Sequence, residues 1–398
     1  MIPRFKPSFN WQETKAAIAY CPDAVAKFEQ AFAETFDAKY ALSFPYGRSA
    51  LYAIFKALNI ADSEIIIPAY TCVVVPHAIV MSGNIPRFVD INLFDYNLDL
   101  TAVEKKITSK TRAIIPSNLF GYPVNSDQLK SIVGNRDILI IQDCAHCFGA
   151  RWNGKLVCNE GDVAIFSLNI SKYISSVFGG MLTTNDKKIY DTIKAYRDQF
   201  FKPPSLIKRS RDYLYLLATY PAFTETLYNI TSLFDYMGGN VIFGHLTKYY
   251  DDEKISLPEN YMEMMTSMEA KVGLVQLKKY LEIEKKKQFI AHYYNDSLQG
   301  LPGLILPPMV EGATYSHYIL RAKNREKIIM AAKRKHIQLG KIIEYSIPHL
   351  DAYKNYADEE FPNSLMCAEE AINLPIYPDL LAHREKQNYI IESLKNYG

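Results

Sequence analysis

The segment ILIIQDCAHCFGARWNGKLVCNEGDVAIFSLNISK, residues 138–172, decides the fold class. It contains two short runs rich in β-branched residues, 138–143 and 162–166, and small or polar residues follow each run. Similar runs occur on both sides of this segment, at 64–68, 86–90, 112–116 and 180–184. Because helical patterns separate them, the sequence predicts crossover units that build a mostly parallel sheet with helices on both faces.

The C-terminal third of the chain has a different pattern. Residues 268–294 predict one long helix, apolar on one side and lysine-rich on the other. Beyond it, a strand at 318–321 and helices at 325–335 and 382–395 predict an α+β arrangement. We therefore predict a large α/β domain over residues 1–260 and a smaller α+β domain over 261–398 that begins with the long helix.

The composition excludes several classes of protein. The 398 residues include 45 Lys and Arg against 43 Asp and Glu, and this balance lacks the charge excess of a nucleic-acid-binding protein. The six cysteines are sparse, and the first residues lack the apolar core of a signal peptide. No apolar run is long enough to span a membrane. These features predict a cytoplasmic protein with no nucleic-acid partner.

Candidate functional residues follow the predicted strands, where open α/β sheets hold ligands. Asp143 is expected to project a carboxylate from the end of a central strand, which demands a cationic or hydrogen-bonding partner. A helix N-cap is the alternative role. Lys172 stands among apolar neighbours, which favour a lowered amine pKa and attack on an aldehyde. A solvated loop lysine is the alternative here.

Two further motifs have features of binding sites. Gly47, Arg48 and Ser49 precede a helix predicted over 50–58, and such a helix start offers amides, a hydroxyl and a cation to a phosphate. A plain N-cap is again the alternative. Cys144 and Cys147 have C-x-x-C spacing, but no second pair of ligands follows, so no metal site is predicted.

In this order and spacing, the segments resemble the DegT/DnrJ/StrS family of sugar aminotransferases, pyridoxal-phosphate enzymes of the aspartate-aminotransferase fold (fold type I). Residues 140–172 form the most specific block, and 65–91, 316–318 and 374–376 resemble further family segments. The resemblance covers about residues 31–380. It implies a mostly parallel sheet of the seven-stranded type in the large domain, flanked by helices.

The resemblance also implies roles for individual residues. Lys172 corresponds to the lysine that binds the cofactor covalently and carries the substrate proton, and Asp143 to the carboxylate that pairs with the protonated pyridine nitrogen. His146, one helical turn further along, is implied to bond the 3-oxygen of the cofactor ring. The remaining implied contacts are Gly47, Arg48, Ser49 and Ser167 to the cofactor phosphate, Cys72 to the cofactor ring, and Asn118 and His317 to the substrate.

Some positions depart from the family pattern. Cys72 replaces an aromatic ring that stacks on the pyridine, so stacking is either weaker or supplied by Tyr70. Met262 and Met264 stand where a neighbouring subunit usually contributes an Asn and an Arg, and Arg48 is expected to supply the missing cation from its own chain. The retained lysine disfavours the family's dehydratase branch, in which a histidine takes its place.

An insertion rich in Tyr, Phe and Leu spans about residues 200–260. We favour a helical pair that packs on the subunit or at a dimer interface. The alternatives are a site for a hydrophobic or lipid-linked substrate and contact with a membrane surface.

The resemblance implies a homodimeric aminotransferase that depends on pyridoxal 5'-phosphate, and the composition predicts that it is cytoplasmic. It would convert a keto-sugar, linked to a nucleotide, to an amino-sugar for surface polysaccharide or a related glycan, with an amino acid such as glutamate as donor. Two alternatives stay open. One is a non-catalytic scaffold or binding protein of the same fold, which the departures at Cys72, Met262 and Met264 suggest. The other is an aminotransferase for a lipid- or acyl-linked substrate.

Overall fold

The computed structural model describes residues 1–222 and 254–395. The helices are α1 (Trp11–Ile18), α2 (Ala24–Thr35), α3 (Gly47–Ala57), α4 (Val74–Met81), α5 (Leu100–Lys106), α6 (Ser126–Val133), α7 (Lys187–Phe200), α8 (Leu206–Ala222), α9 (Ser267–Leu298), α10 (Arg325–Arg334), α11 (Pro362–Glu370) and α12 (Arg384–Lys395). The strands are β1 (Tyr40–Phe44), β2 (Glu64–Pro68), β3 (Ile85–Val89), β4 (Thr111–Ile114), β5 (Leu139–Asp143), β6 (Arg151–Trp152), β7 (Lys155–Leu156), β8 (Val163–Ser167), β9 (Gly180–Thr184), β10 (Tyr318–Arg321) and β11 (Ala371–Leu374).

A seven-stranded sheet forms the centre of the molecule, in the order β1-β9-β8-β5-β4-β2-β3. Its strands β8, β5, β4, β2 and β3 pair in parallel, whereas β9 runs antiparallel to both of its neighbours. The predicted mostly parallel sheet is therefore confirmed, and its predicted strands lie close to the observed bounds. The sequence pattern did not predict the edge strand β1 or the short strands β6, β7 and β11.

Both faces of the sheet are covered, because successive residues of each strand point to opposite sides. Ile65 and Ile67 of β2 are buried with Phe55 of α3 on one face. Ile66 is buried on the other face, in a core that includes Phe32 of α2. This two-sided burial is the reason that the strands read as continuous apolar runs in the sequence.

The long helix α9 joins two hydrophobic cores. It begins with a capping box in which Thr266 accepts from the Glu269 amide at 3.1 Å and Glu269 accepts from the Thr266 amide at 2.6 Å. Near this end, a Cβ atom on Gly273 would lie 2.3 Å from the Phe28 ring, so glycine permits the close approach of α2. The other half of α9, including Ile290, packs in the C-terminal core.

The C-terminal core is completed by loops of the sheet domain. Strands β10 and β11 pair antiparallel, and helices α10 and α12 pack beside them. Tyr70, Tyr96, Phe120 and Tyr122 come from loops after sheet strands and are buried in this same core. The domain boundary after residue 260 stays a prediction, since α9 contributes to both cores.

Helix α8 lies in the described part of the aromatic insertion, which comprises residues 200–222 and 254–260. The Lys208 ammonium on α8 donates to Glu269 at 3.0 Å and to the Met264 carbonyl oxygen at 2.8 Å. Leu216 is buried with Val177 from the loop between β8 and β9. The first helix of the insertion therefore packs on its own chain. Residues 223–253 lie outside the described residues, and the interface and membrane hypotheses for the insertion stay untested.

Among the described residues, no helix combines the length and the apolar composition that a membrane crossing requires.

Candidate active site

The residues singled out in the sequence meet at one edge of the sheet, where the parallel strands end. Asp143 ends β5, and Ser167 ends β8. The loop that carries Lys172 follows β8 directly, and Gly180 lies opposite Ser167 in the strand register because β9 runs the other way. The loops after β1, β2 and β4 lead to the same edge and carry Gly47, Cys72 and Asn118.

Asp143 is a buried carboxyl group at this edge, with 6% of the residue exposed. It accepts the Ala145 amide at 3.0 Å, and the described chain places no cation within ion-pair distance of it. Burial raises its pKa to about 6, although the Ala145 amide and the charge of Lys172 act in the opposite direction. A cation that enters the site would therefore stabilise the ionised form.

The chain after Asp143 forms an irregular turn rather than a helix. Asp143 is therefore not a helix N-cap, and the expectation that His146 lies one helical turn further along is wrong. The main-chain hydrogen bond from Cys144 to the Ile165 carbonyl oxygen, 2.8 Å long, holds this turn against β8. His146 reaches the site through the turn instead.

Lys172 is half-buried in the loop 168–179. Its amide donates to the Asn169 carbonyl oxygen at 2.9 Å, so the main chain around it is ordered by local hydrogen bonds. Burial lowers the pKa of its ammonium group, while the charges of Cys72 and Asp143 oppose this effect. The three side chains are thus electrostatically coupled, and the lowered pKa favours the neutral, nucleophilic amine.

A close-packed cradle lies next to these residues. It is formed by the start of α3, the end of β8 and the start of β9. Helix α3 begins at Gly47, before its predicted start at Ala50. A Cβ atom on Gly180 would lie 2.3 Å from the Gly47 nitrogen, and one on Gly47 would lie 3.1 Å from the Phe166 carbonyl oxygen. The buried Ser49 hydroxyl has no hydrogen-bond partner. Together with the first-turn amides, these groups form a site suited to a phosphate.

Two arginines approach this cradle from different elements. Arg48 is buried, and its guanidinium lies 5.3 Å from the centre of the Tyr46 ring. Arg211, on α8, lies 5.1 Å from the centre of the Phe178 ring and pairs with Asp212 at 2.8 Å. The contact of Arg48 with the cofactor phosphate stays a prediction, and α8 places a second guanidinium against Phe178, in the loop that carries Lys172.

Two histidines and a phenylalanine line the other side of the site. The His146 ring stacks on Phe120 at 5.9 Å, and its centre lies 4.8 Å from that of His317. Burial lowers the pKa of both imidazoles, and Lys172 and Lys287 lower both further. The buried Nδ1 atom of His146 has no hydrogen-bond partner, so it is available to a ligand.

Asn118 holds the end of β5 in place. Its side-chain amide donates to Gln142 Oε1 at 2.9 Å, and its oxygen accepts the Val124 amide at 2.8 Å. These bonds fix the chain immediately before Asp143. The predicted substrate contacts of Asn118 and His317 stay predictions, and the hydrogen bonds identify Asn118 as a positioning residue.

The Tyr70 side chain is held by contacts with Ile343 and Phe120. Its fully buried hydroxyl donates to the Ile343 carbonyl oxygen at 3.3 Å, and its ring packs edge-on against Phe120 at 6.4 Å. The structure therefore does not support Tyr70 as a substitute for the stacking ring that Cys72 lacks. Met262 and Met264 pack against the α3 side of the sheet core in their own chain.

Sequence reasoning missed Phe120 and Lys287. Phe120 lies in a glycine-containing loop after β4, at the edge where ligands bind, and this position was the available signal. Lys287 is one of three consecutive lysines of α9 and is buried, with 7% of the residue exposed. Its spacing from Tyr280, Ile283 and Tyr294 places it on the apolar stripe of the helix. Because it follows two other lysines, the sequence pattern assigned it to the polar side.

The sequence model of the DegT/DnrJ/EryC1/StrS aminotransferase family matches residues 12–214 and 227–395. The chain belongs to this family. The resemblance seen in the sequence is thereby confirmed, and with it the assignment of this chain as an aminotransferase dependent on pyridoxal phosphate.

Relatives match this family member along nearly its whole length. An uncharacterized protein of Methanocaldococcus jannaschii is 29% identical over 399 residues, which cover 95% of this chain and 93% of the relative. A GDP-perosamine synthase of Vibrio cholerae is 26% identical over 415 residues, which cover 100% of this chain and 99% of the relative. The crystal structure of the sugar aminotransferase CalS13 from Micromonospora echinospora superposes with a TM-score of 0.80 at 18% identity and covers both chains completely.

The site residues fit pyridoxal phosphate as a group. The buried Asp143 lacks the cation that a protonated pyridine nitrogen would provide. The half-buried Lys172 is suited to an aldehyde, and the buried Ser49 hydroxyl and the start of α3 are suited to a phosphate. His146 offers a ring nitrogen without a partner. These four features match the four functional parts of the cofactor.

Proposed function

We propose that this chain transfers the amino group of an amino acid, glutamate in the first instance, to the keto group of a nucleotide-linked sugar. The amino-sugar product then enters the biosynthesis of surface polysaccharide or a related glycan. The protein works as a homodimer in the cytoplasm. The full-length similarity to a GDP-perosamine synthase supports a nucleotide-linked substrate.

One observation carries the proposal. Asp143 and Lys172 lie at the same buried edge of the sheet, and their pKa values are shifted in opposite directions from the ordinary values. Burial raises the pKa of Asp143 and lowers that of Lys172. Asp143 is therefore prepared to bind a cationic ring, and Lys172 to act as nucleophile and base.

Bound pyridoxal phosphate supplies an electron sink for the negative charge that develops at the substrate carbon. The protein's residues do the rest. Asp143 keeps the proton on the ring nitrogen, and the cradle around Gly47, Ser49 and Gly180 binds the phosphate. The Lys172 amine would take up the proton from the substrate carbon and deliver it to C4′ of the cofactor.

Covalent trapping tests the assignment of Lys172. The purified protein loaded with pyridoxal phosphate and reduced with borohydride should carry the cofactor on the peptide that contains Lys172, as read by mass spectrometry. Lys172→Ala should lose both the label and transamination while keeping its fold. Lys188→Ala, which changes an exposed lysine, serves as the matched control.

A half-reaction separates the enzyme from a scaffold of the same fold. Without any sugar present, glutamate should yield about one equivalent of 2-oxoglutarate per site, because the amino group remains on the enzyme. Addition of a nucleotide-linked keto-sugar should then release the amino-sugar. The protein should regain the absorbance that it had when first loaded with pyridoxal phosphate. Loaded protein that converts no amino acid to its 2-oxo acid would sink the proposal.

A further inference from the structure

Lys287 is a buried cation next to the active site that the reaction proposed above does not use. Its ammonium donates to the Ser316 carbonyl oxygen at 3.0 Å and lies 4.6 Å from the centre of the Tyr173 ring. The described chain provides no carboxylate within ion-pair distance of it. Glu284, one turn earlier on α9, is engaged with the Tyr280 hydroxyl instead. A buried charge in this condition is costly, so a role besides packing is expected.

Mechanical support of the neighbouring segment does not require a charge. Lys287 and the adjacent Gln288 hold the same segment, because Gln288 donates to the Ala313 carbonyl oxygen at 3.0 Å. The Tyr173 hydroxyl donates to the Thr314 carbonyl oxygen, and the Thr314 amide donates to the Gly121 carbonyl oxygen at 3.0 Å. Neutral donors thus fix this segment from several sides. Lys287 differs from these donors because it can carry a positive charge.

The segment held by Lys287 ends at the two histidines of the site. Ser316 accepts from Lys287 through its carbonyl oxygen, and its hydroxyl is hydrogen-bonded to His317 Nδ1 at 3.1 Å. The His317 ring lies 4.8 Å from that of His146. When Lys287 is protonated, its positive charge acts on both imidazoles, and repulsion between like charges favours their neutral forms.

We propose that Lys287 is a positioning residue whose positive charge adds to the effect of burial in keeping His146 and His317 uncharged and thereby extends the reaction to lower pH. The inference deepens the proposed function, because it matters for catalysis only if the two histidines serve the cofactor and the substrate. A neutral His146 can offer an unprotonated ring nitrogen to a ligand, whereas a charged pair of imidazoles would repel each other.

Other charges face the same imidazoles. Lys172 acts on both rings, and Arg4 acts on His317, each in the same direction as Lys287. Asp143, at the end of β5, is the acidic group of this edge and is itself largely protonated below its raised pKa of about 6. Lys287 differs from Lys172 because it forms no bond with the cofactor.

The charge is present in the pH range in which it is needed. Burial lowers the pKa of Lys287 to about 7, so the group is charged below that pH. The pKa of both histidines lies well below the ordinary 6.5, so they take up protons only at a pH at which Lys287 is already charged. The repulsion is therefore present when the histidines take up protons.

Three variants separate charge from mechanical support. Lys287→Gln removes the charge and keeps a hydrogen-bond donor, and Lys287→Arg keeps the charge. Gln288→Leu is the matched control, since it removes a similar bond to the same segment. For Lys287→Gln, we expect the acid limb of the kcat/KM profile to move to higher pH by about 0.5–1 unit. Lys287→Arg should keep the wild-type limb, and Gln288→Leu should change the rate without moving the limb.

A direct readout does not depend on turnover. Hydrogen–deuterium exchange at the histidine Cε1 position, read by mass spectrometry of the holoenzyme across pH, reports the protonation of each histidine. Lys287→Gln should raise the midpoints for His146 and His317 and leave that of the exposed His383 unchanged. If Lys287→Gln does not fold, Lys287→Met provides the same test.

Unchanged midpoints at both histidines, or a rate that falls equally at every pH, would overturn the proposal and leave Lys287 as a mechanical support. Because the exchange measurement needs no substrate, it still decides the role of Lys287 if glutamate yields no 2-oxoglutarate. Failure of the proposed function and failure of this inference are therefore distinguishable.

Discussion

Asp143 and Lys172 each bear a charge that their surroundings disfavour. For Asp143, the raised pKa means that the folded protein binds its proton more tightly than the unfolded chain does. Folding stability therefore falls as pH rises from the ordinary value of 3.8 to about 6, and the loss is complete above that range. The size of the loss is about 3 kcal/mol in the protein without cofactor.

Asp143→Asn should separate the stability of the site from its activity. Without cofactor, this variant should unfold at a higher temperature than the wild type above about pH 6, because a neutral amide replaces a buried carboxylate. The advantage should shrink as pH falls through that range and vanish near pH 4. In the loaded enzyme, the rate should fall by orders of magnitude, because the ring nitrogen loses its counter-charge.

Thermal unfolding across pH and steady-state rates check both halves of this prediction. Asp127→Asn is the control, since Asp127 is an exposed carboxylate bonded to Trp152 and Asn153. An Asp143→Asn variant with wild-type activity would show that the carboxylate does not serve the cofactor.

At the scale of elements, α8 is tied to the start of α9 by a buried ion pair. Lys208 and Glu269 are each almost fully buried and lie 3.0 Å apart. The same helix packs Tyr215 on Phe178 at 4.8 Å, within the loop that carries Lys172. The position of α8 is therefore linked to the order of the catalytic loop.

Lys208→Met should destabilise the protein by about 3–5 kcal/mol, because it leaves Glu269 buried without its counter-charge. The double variant Lys208→Met with Glu269→Gln should recover part of this loss, since neither charge then remains buried. Lys187→Met, which breaks the exposed pair with Asp191, should have little effect. Chemical denaturation measures all three.

The catalytic loop supplies a second readout for the same variants. If α8 supports the loop through Phe178, Lys208→Met should weaken cofactor affinity, measured by titrating the protein without cofactor with pyridoxal phosphate. A variant that is destabilised but binds the cofactor with wild-type affinity would show that α8 contributes stability alone.

At the scale of the whole molecule, the sheet core that includes Phe32 and the C-terminal core share elements. Helix α9 contributes to both, and Ile2 at the N-terminus pairs with Ile337 in the C-terminal part. Tyr122 and Tyr96 from the sheet domain donate to the carbonyl oxygens of Pro308 and Ile319, each at 3.3 Å. Neither core is complete without residues from the other part of the chain.

This sharing predicts one cooperative unfolding transition in calorimetry rather than two. Ile290→Ala, a cavity in the C-terminal core, should cost about 2–5 kcal/mol and lower the temperature of the single transition. Two transitions, of which Ile290→Ala shifts only one, would instead favour independent domains divided near residue 260.

Local pattern was sufficient to predict the sheet and part of the site. The runs that become β2, β5 and β8 are short, β-branched and separated by helical patterns, and these features need no knowledge of the fold. The end of a parallel strand is also visible in the sequence, so Asp143 and the loop of Lys172 were placed at the ligand-binding edge from their position alone.

Tertiary structure decided the features that depend on contacts between distant segments. The Tyr70 hydroxyl donates to the carbonyl oxygen of Ile343, which is far along the chain. Lys287 comes next to His317 because α9 and the 313–317 segment pack together, and Phe120 stacks on His146 for a similar reason. A sequence shows which residues prefer burial over one helix or strand, whereas the partner of a buried polar group is set by packing across the whole chain.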